Sequence, residues 1–385
     1  MTTGTIAIDE ALLDRARALA PLIEAEADVA ERENTTTQVV VDALAGAEMF
    51  WALVPRALGG LETDLCTALA LFEELSRADG STGWSVMANA TSSCFAAIYT
   101  GETAAHEMFA AGVRGIHAGM LGPVGTARRV EGGYRVSGHY QFGSGCAHAS
   151  FIGAGTVEVD ADGAPLTAES GLPAMRIVLV PRDAVEFRGN WDVLGLTSTG
   201  SFDYVIDDVY VPEEFTYSLL EHVQLRGGSG FAVGLFAITA AGHAGFALGV
   251  GRRVLDEIVE LAKTRVRMAG FTTIAADPIF QYELATHDCA LRAAKALVYE
   301  SFAAADGTAR ADGAATHLQQ QRLRAATTYA TRVAADASRF AYTWAGSAGL
   351  RPGVIQRCFR DLHAGTQHIY VENNTLNGYG QALLG

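Results

Sequence analysis

The hydrophobic spacing of this chain changes period twice, and that double change limits the folds open to it. Up to about residue 110 the apolar residues recur at helical intervals. Leu12, Ala16, Leu19 and Ile23 form one stripe, and Val39, Val40, Leu44 and Met49 form another. Thr63-Asp64 before an apolar run predicts a helix to Ala78, and the turn from Asp79 to Trp84 opens a further helix of small residues. Around Arg114 the spacing switches to short β-rich runs separated by Gly, Pro or Asp: 117–120, 127–130, 134–142, 151–157, 177–180, 185–188 and 202–211. Glu131-Gly132-Gly133 reads as a hairpin turn, and Val211-Pro212-Glu213-Glu214 as the close of the β region, with proline ending a strand and acids opening a helix. From Gly230 helical spacing returns over about 231–268, 278–305, 314–346 and 354–370, and Asp306-Gly307 and Asp312-Gly313 bracket a polar loop. The expectation is an α+β chain with an N-terminal helical domain over 1–113, a middle β-barrel-like domain over 114–225 and a C-terminal four-helix bundle domain over 226–385.

Composition removes several function classes. With 28 Lys and Arg against 43 Asp and Glu, net −15, the chain would repel a polyanion, so nucleic acid is an unsuitable partner. Five scattered cysteines suit neither a disulfide framework nor a cysteine metal site and point to a reducing cytoplasm. No basic leader and no flanked apolar span is visible, so no membrane is expected; 231–250, which holds His243 and several glycines, reads as a buried core helix.

Two stretches carry candidate chemistry. Arg360 to Asn374 holds His363 and His368, whose spacing of five does not aim both at one metal ion, so no metal site is expected. On a continued helix His368 shares a side with Asp361, Ala364 and Gly365, leaving room for a planar ring above the two small residues and an imidazole at its rim. The plainer reading is a hydrogen-bonded histidine in a helix interface. The second stretch, Tyr134 to Gly145, alternates and then ends in Phe142-Gly143-Ser144-Gly145. Neither that run nor Gly249-Val250-Gly251 has the strand-turn-helix setting of a dinucleotide fold.

The order of helical block, β domain and helical block, with Gly122-Pro123-Val124-Gly125-Thr126-Ala127, Phe142 to Gly145, Trp191 to Gly195, Thr199-Gly200-Ser201 and Arg360-Asp361, resembles the acyl-CoA dehydrogenase fold over nearly the whole chain. In that family a carboxylate base follows the Arg-Asp helix or sits on the first long C-terminal helix. Here Tyr370 is followed by Val371 and then Glu372, out of register, and no carboxylate lies between Glu221 and Asp256. His368 with the Ser144 strand end instead resembles the two-component flavin-dependent monooxygenases of the same fold.

That resemblance implies hydroxylation of an aromatic or heteroaromatic small molecule by O2 and reduced FMN or FAD, through a flavin C4a-hydroperoxide, with a separate NAD(P)H flavin reductase. It implies a homotetramer in which a neighbouring subunit's Arg267 and Phe271 reach the flavin phosphates. Ser144 and His368 are the expected catalytic residues, His368 with a pKa near neutrality to hold or accept the substrate's proton. Phe142, Gly143, Ser144, Thr199, Gly200 and Ser201 are expected at the flavin, and Trp84, His117 and Met120 at the substrate. An aromatic such as Trp84 or Phe142 is also at home in any core, His117 in any satisfied interior, and Arg360 with Asp361 in a simple helix-fixing pair. Two other functions remain open: an acyl-CoA dehydrogenase using Glu372 as base, and a catalytically silent binding or assembly subunit.

Overall fold

The computed structural model describes residues 8–110, 113–267 and 271–385. Five helices precede the sheet: α1 (Glu10–Glu33), α2 (Gln38–Gly46), α3 (Leu65–Ala78), α4 (Gly80–Tyr99) and α5 (Glu102–Phe109). Asp64 begins α3 because its carboxylate accepts the Thr67 N–H at 2.9 Å, and Asp79 begins α4 by accepting from Thr82 N–H at 2.9 Å. Asp79 also ends α3, so α3 and α4 meet at one residue with no loop to flex. Residues 80–99 of α4 are buried almost throughout, which is why this helix can carry functional side chains inward.

The middle region is one seven-stranded sheet: β1 (His117–Val130), β2 (Gly133–Gly143), β3 (Phe151–Val159), β4 (Met175–Pro181), β5 (Glu186–Phe187), β6 (Phe202–Pro212) and β7 (Thr216–Ser218), in the order β5-β6-β2-β1-β3-β4-β7. Glu131-Gly132-Gly133 makes the expected hairpin, with Arg129 opposite Tyr134 and Val130 opposite Gly133. Three expectations need correction. The runs 117–120 and 127–130 are one strand with register shifts around Pro123, because β3 lies parallel to it on both sides of the irregularity. Pro212 ends β6, but one turn of 3₁₀ helix at Glu213–Phe215 returns the chain to the sheet as β7 instead of closing the domain. The described strands run from edge β5 to edge β7 without hydrogen bonds joining the two, so the sheet is open where a barrel-like one was expected.

Four long helices follow, α6 (Leu235–Thr264), α7 (Pro278–Asp312), α8 (His317–Ala345) and α9 (Val354–Gly365), with a two-stranded β8 (Val266–Arg267) and β9 (Thr272–Thr273) between the first two and a final α10 (Asn373–Leu384) that helical spacing did not reveal. The polar loop expected at 306–313 is helix: Asp306 and Arg310 pair four residues apart at 2.8 Å on α7, and the turn comes at Gly313, φ +84°. Among the described residues no helix is long and apolar enough to cross a membrane. All five cysteines are free thiols.

Candidate active site

The end of β2 turns sharply at Phe142, whose φ of +62° is uncommon for a residue with a side chain, and at Gly145, φ +71°. A Cβ on Gly145 would stand 2.4 Å from the Asn89 amide, so only glycine lets the strand end close on α4. Asn89, fully buried on α4, donates to the backbone carbonyls of His117 at 2.9 Å and Gly145 at 3.4 Å and accepts from His148 at 2.9 Å. It thereby fixes the start of β1 and the end of β2 against one helix.

That turn presents Ser144 to a chain of hydroxyls. The Trp84 indole N–H on α4 donates to Ser144 Oγ at 3.2 Å; Ser144 Oγ is 2.7 Å from Ser201 Oγ; Ser201 Oγ is 2.7 Å from Thr199 Oγ1; and Thr199 Oγ1 donates to the Leu196 carbonyl at 2.7 Å. Each hydroxyl has one hydrogen, so the directions are determined. Thr199 has spent its hydrogen on Leu196, Ser201 gives its own to Thr199, and Ser144 gives its own to Ser201. Ser144 therefore faces outward as an acceptor, with a lone pair not used by Trp84.

Trp84 also meets the second group. Its ring lies edge-on to Phe246 at 4.9 Å, His243 at 5.0 Å and His368 at 5.6 Å, while His243 is 4.1 Å from His368 and stacks on Tyr370 at 5.5 Å. His368 reaches this place by leaving the helix. α9 stops at Gly365, and His368 begins a separate 3₁₀ turn at Ile369–Val371, its Nδ1 accepting the Tyr370 N–H at 3.3 Å. The space expected above Ala364 and Gly365 is taken, since a Cβ on Gly365 would meet the Phe246 ring at 2.6 Å.

Burial also moves the His368 pKa away from neutrality, down to about 4. At pH 7 the ring is neutral with Nδ1 engaged as acceptor, so Nε2 carries the hydrogen and donates. His243 is held well below its ordinary pKa by burial and then by His368, so the two rings form an uncharged pair. Sequence reading passed over His243 as part of an apolar helix. The one signal available was an imidazole in a segment with no carboxylate to pair with it.

The other expected residues fall differently. Phe142 is 60% exposed and edge-on to Trp191 at 6.1 Å, forming an apolar ledge beside the hydroxyl chain, and Gly143, Thr199 and Gly200 line the same turn. His117 is not with this group. It stacks between Phe109 and Phe151 at 5.0 and 5.3 Å, approaches Ser93 Oγ and Met108 Sδ at 3.3 and 3.1 Å, and is driven to a pKa of about 3 by burial, which makes it a core histidine. Met120 donates its backbone N–H to Tyr204 Oη at 2.8 Å, and its thioether folds over Gly122. Arg267 lies over the Trp344 ring at 4.1 Å, Phe271 is 90% exposed, and neither joins Ser144 within the chain.

Arg360 and Asp361 do not pair with each other. Arg360 bonds Glu31 at 2.6 Å and the Leu194 carbonyl at 3.1 Å, while Asp361 accepts the Leu196 N–H at 2.6 Å, so both hold the 194–196 loop against α9. Burial and then Asp79 raise the Asp361 pKa to about 7. Glu372 is exposed at the start of α10, where it accepts from the Asn374 side chain at 3.3 Å.

The donor set suits a planar, hydrogen-bonding ring: an acceptor hydroxyl at the strand end, an exposed aromatic ledge beside it and a neutral N–H donor on the ring that shares Trp84 with that hydroxyl. Family models described as the acyl-CoA dehydrogenase N-terminal and C-terminal domains match residues 9–120 and 241–373. An indole-3-acetate monooxygenase of Pseudomonas putida is 30% identical over 390 residues, covering 98% of this chain and 93% of that protein. The oxygenase component of an FADH(2)-dependent resorcinol hydroxylase from Rhizobium sp. (strain MTP-10005) is 26% identical, covering 97% and 94%. The structure of XiaF from Streptomyces sp. in complex with FADH2 and glycerol superposes with a TM-score of 0.90 at 26% identity, covering 98% of this chain and 95% of that one.

Proposed function

Because the chain belongs to the acyl-CoA dehydrogenase family, through the flavin-dependent monooxygenases within it, we propose that the group around Ser144 and His368 hydroxylates an aromatic small molecule. The enzyme is the oxygenase component of a two-component system, and we infer that a separate NAD(P)H-dependent reductase delivers its reduced FMN or FAD. The overall reaction takes an aromatic C–H, O2 and a dihydroflavin to the phenol, water and oxidised flavin.

A bound dihydroflavin supplies the electrons that activate O2. Phe142, Gly143, Ser144, Thr199, Gly200 and Ser201 would hold its ring, and in a homotetramer a neighbouring subunit would add Arg267 and Phe271. The observation that carries this reading is the direction of the hydroxyl chain. Ser144 has no hydrogen left to give and can only accept, and a reduced flavin has the N–H at its reactive edge that an oxidised one lacks. His368 acts from the other side as a neutral donor through Nε2, holding an oxygen of the reactants without adding a charge to a dry site. Trp84 bonds Ser144 and packs against His368, so it sets the two at one spacing.

The test is a single turnover. Protein loaded with reduced flavin under nitrogen is mixed with O2 and indole, and hydroxylated product and hydrogen peroxide are both counted. Product accounting for most of the flavin is expected. Quantitative peroxide with no hydroxylated product from indole, phenol or resorcinol would sink the reading. The acyl-CoA dehydrogenase alternative gains nothing, because Glu372 points to solvent.

A further inference from the structure

Beyond the two histidines the aromatic row continues to an arginine. Arg324, on α8, holds its guanidinium carbon 5.7 Å from the centre of Tyr370 and 6.0 Å from that of Phe236, and the two rings are 6.2 Å apart. It is half-buried, and its Nε is sealed from solvent with no hydrogen-bond partner. Among the described residues it makes no ion pair. Neighbouring cations of the same helix do find partners: Arg322 lies 3.5 Å from Glu300, and Arg332 bonds Asn373 at 2.5 Å.

A chain with 43 acidic residues against 28 basic ones has no shortage of carboxylates. Leaving a half-buried guanidinium unpaired costs free energy, and its two aromatic neighbours return only a fraction of that at this distance. The fork of N–H donors is therefore kept for a group that is not part of the chain. Its planar geometry matches a carboxylate.

Position supplies the second half of the argument. Tyr370 lies 5.7 Å from the Arg324 guanidinium and 5.7 Å from the His368 ring, so the cation and the imidazole flank one phenol. His368 in turn touches Trp84, which bonds Ser144. The row therefore has a hydroxyl acceptor at one end, aromatic faces along its middle and an unpaired cation at the other.

Resting on the hydroxylation reading above, we propose that the substrate is an aromatic acid with a short carboxylate-bearing side chain, and that Arg324 binds that carboxylate while the ring lies along Tyr370 and His368, with His243 packed behind them. Phe236 stands beside Arg324 and is 48% exposed. The net negative charge of the protein makes a single inward cation selective for an anion that also carries a ring, since a bare anion gains no aromatic contact.

Calorimetric titration with indole-3-acetate and its neutral isostere indole-3-acetamide tests this on the flavin-loaded protein. The wild type should bind the acetate about 10- to 100-fold more tightly than the amide, the range of a charge-assisted bidentate pair. Arg324→Gln should erase that preference by weakening the acetate alone, and Arg324→Lys should keep part of it. Equal binding of the two compounds by the wild type overturns the proposal without any variant, and so does a preference that survives in Arg324→Gln. Turnover of neutral indole by the wild type separates this result from the function itself. Indole hydroxylation without an acetate preference removes only Arg324, whereas an acetate preference without hydroxylation of either indole probe leaves the anion site and removes the chemistry.

Discussion

At the scale of single residues, the site depends on which atoms have hydrogens left to give. Ser144 is an acceptor because Thr199 and Ser201 have committed theirs, and His368 is a donor because the backbone of Tyr370 occupies its Nδ1. His368→Ala should keep flavin binding, since the strand-end turn and hydroxyl chain do not involve it, but lose about 10²-fold in product formation. The readout is product formed per O2 consumed. Wild-type coupling in that variant would take His368 out of the mechanism. Sequence alone singled out Ser144, Trp84 and His368 by motif and residue type. It missed His243, Asn89 and Arg324, because each looks ordinary on its own helix and gains meaning only from a partner on another element.

At the scale of elements, the placement of these side chains depends on how closely α6 and α3 approach. Gly249 of α6 lies so near α3 that a Cβ would be 2.2 Å from the Glu73 carbonyl oxygen, and Gly245, one turn earlier, would be 2.7 Å from that of Leu69. These glycines bring two backbones together and thereby set the depth of His243 and Phe246, which lie on the same helix. Gly249→Ala should destabilise the protein by about 1–3 kcal/mol, because backbone cannot move aside as a side chain can. Gly307→Ala is the control. That glycine sits inside α7 with open space around it, and alanine there should stabilise by about 0.5–1 kcal/mol. Urea denaturation of both variants decides the matter, and equal shifts of one sign would refute the packing argument.

At the scale of the molecule, four histidines are held without charge, His117 and His243 buried and His148 and His368 half-buried. His117 is held to a pKa of about 3, His148 and His368 to about 4, and His243 well below its ordinary value, all chiefly by burial. Depressed histidines contribute stability that is fully present above their unfolded pKa of about 6.5 and is lost as pH falls toward their folded values, since the unfolded chain takes the proton first. Each contributes a slope of about 1.4 kcal/mol per pH unit in that window. Asp361, raised to about 7, and Asp306, also raised by burial, act in the opposite sense, their contributions fading as pH rises toward neutrality, but they are two groups against four, with His287 depressed as well. Melting temperature should therefore fall steadily from pH 6.5 to 4.5, and a flat profile over that interval would contradict the burial.

Local order was legible because hydrophobic period and capping residues report on backbone a few positions away. The helix starts at Asp64 and Asp79, the β1–β2 hairpin and the return of helical spacing after Gly230 were all readable in that way. The end of α9 was not, and that difference moves His368 off the helix and onto Trp84. Period states which face of an element is buried, never what lies across from it. The sequence alone therefore determined the succession of helical and β segments and the residue types available for flavin chemistry. Only the tertiary structure decided that Trp84 of α4, Ser144 of β2's end, His243 of α6, Arg324 of α8 and His368 beyond α9 share one row, because that meeting is set by helix-to-helix distances that glycines such as Gly245 and Gly249 control.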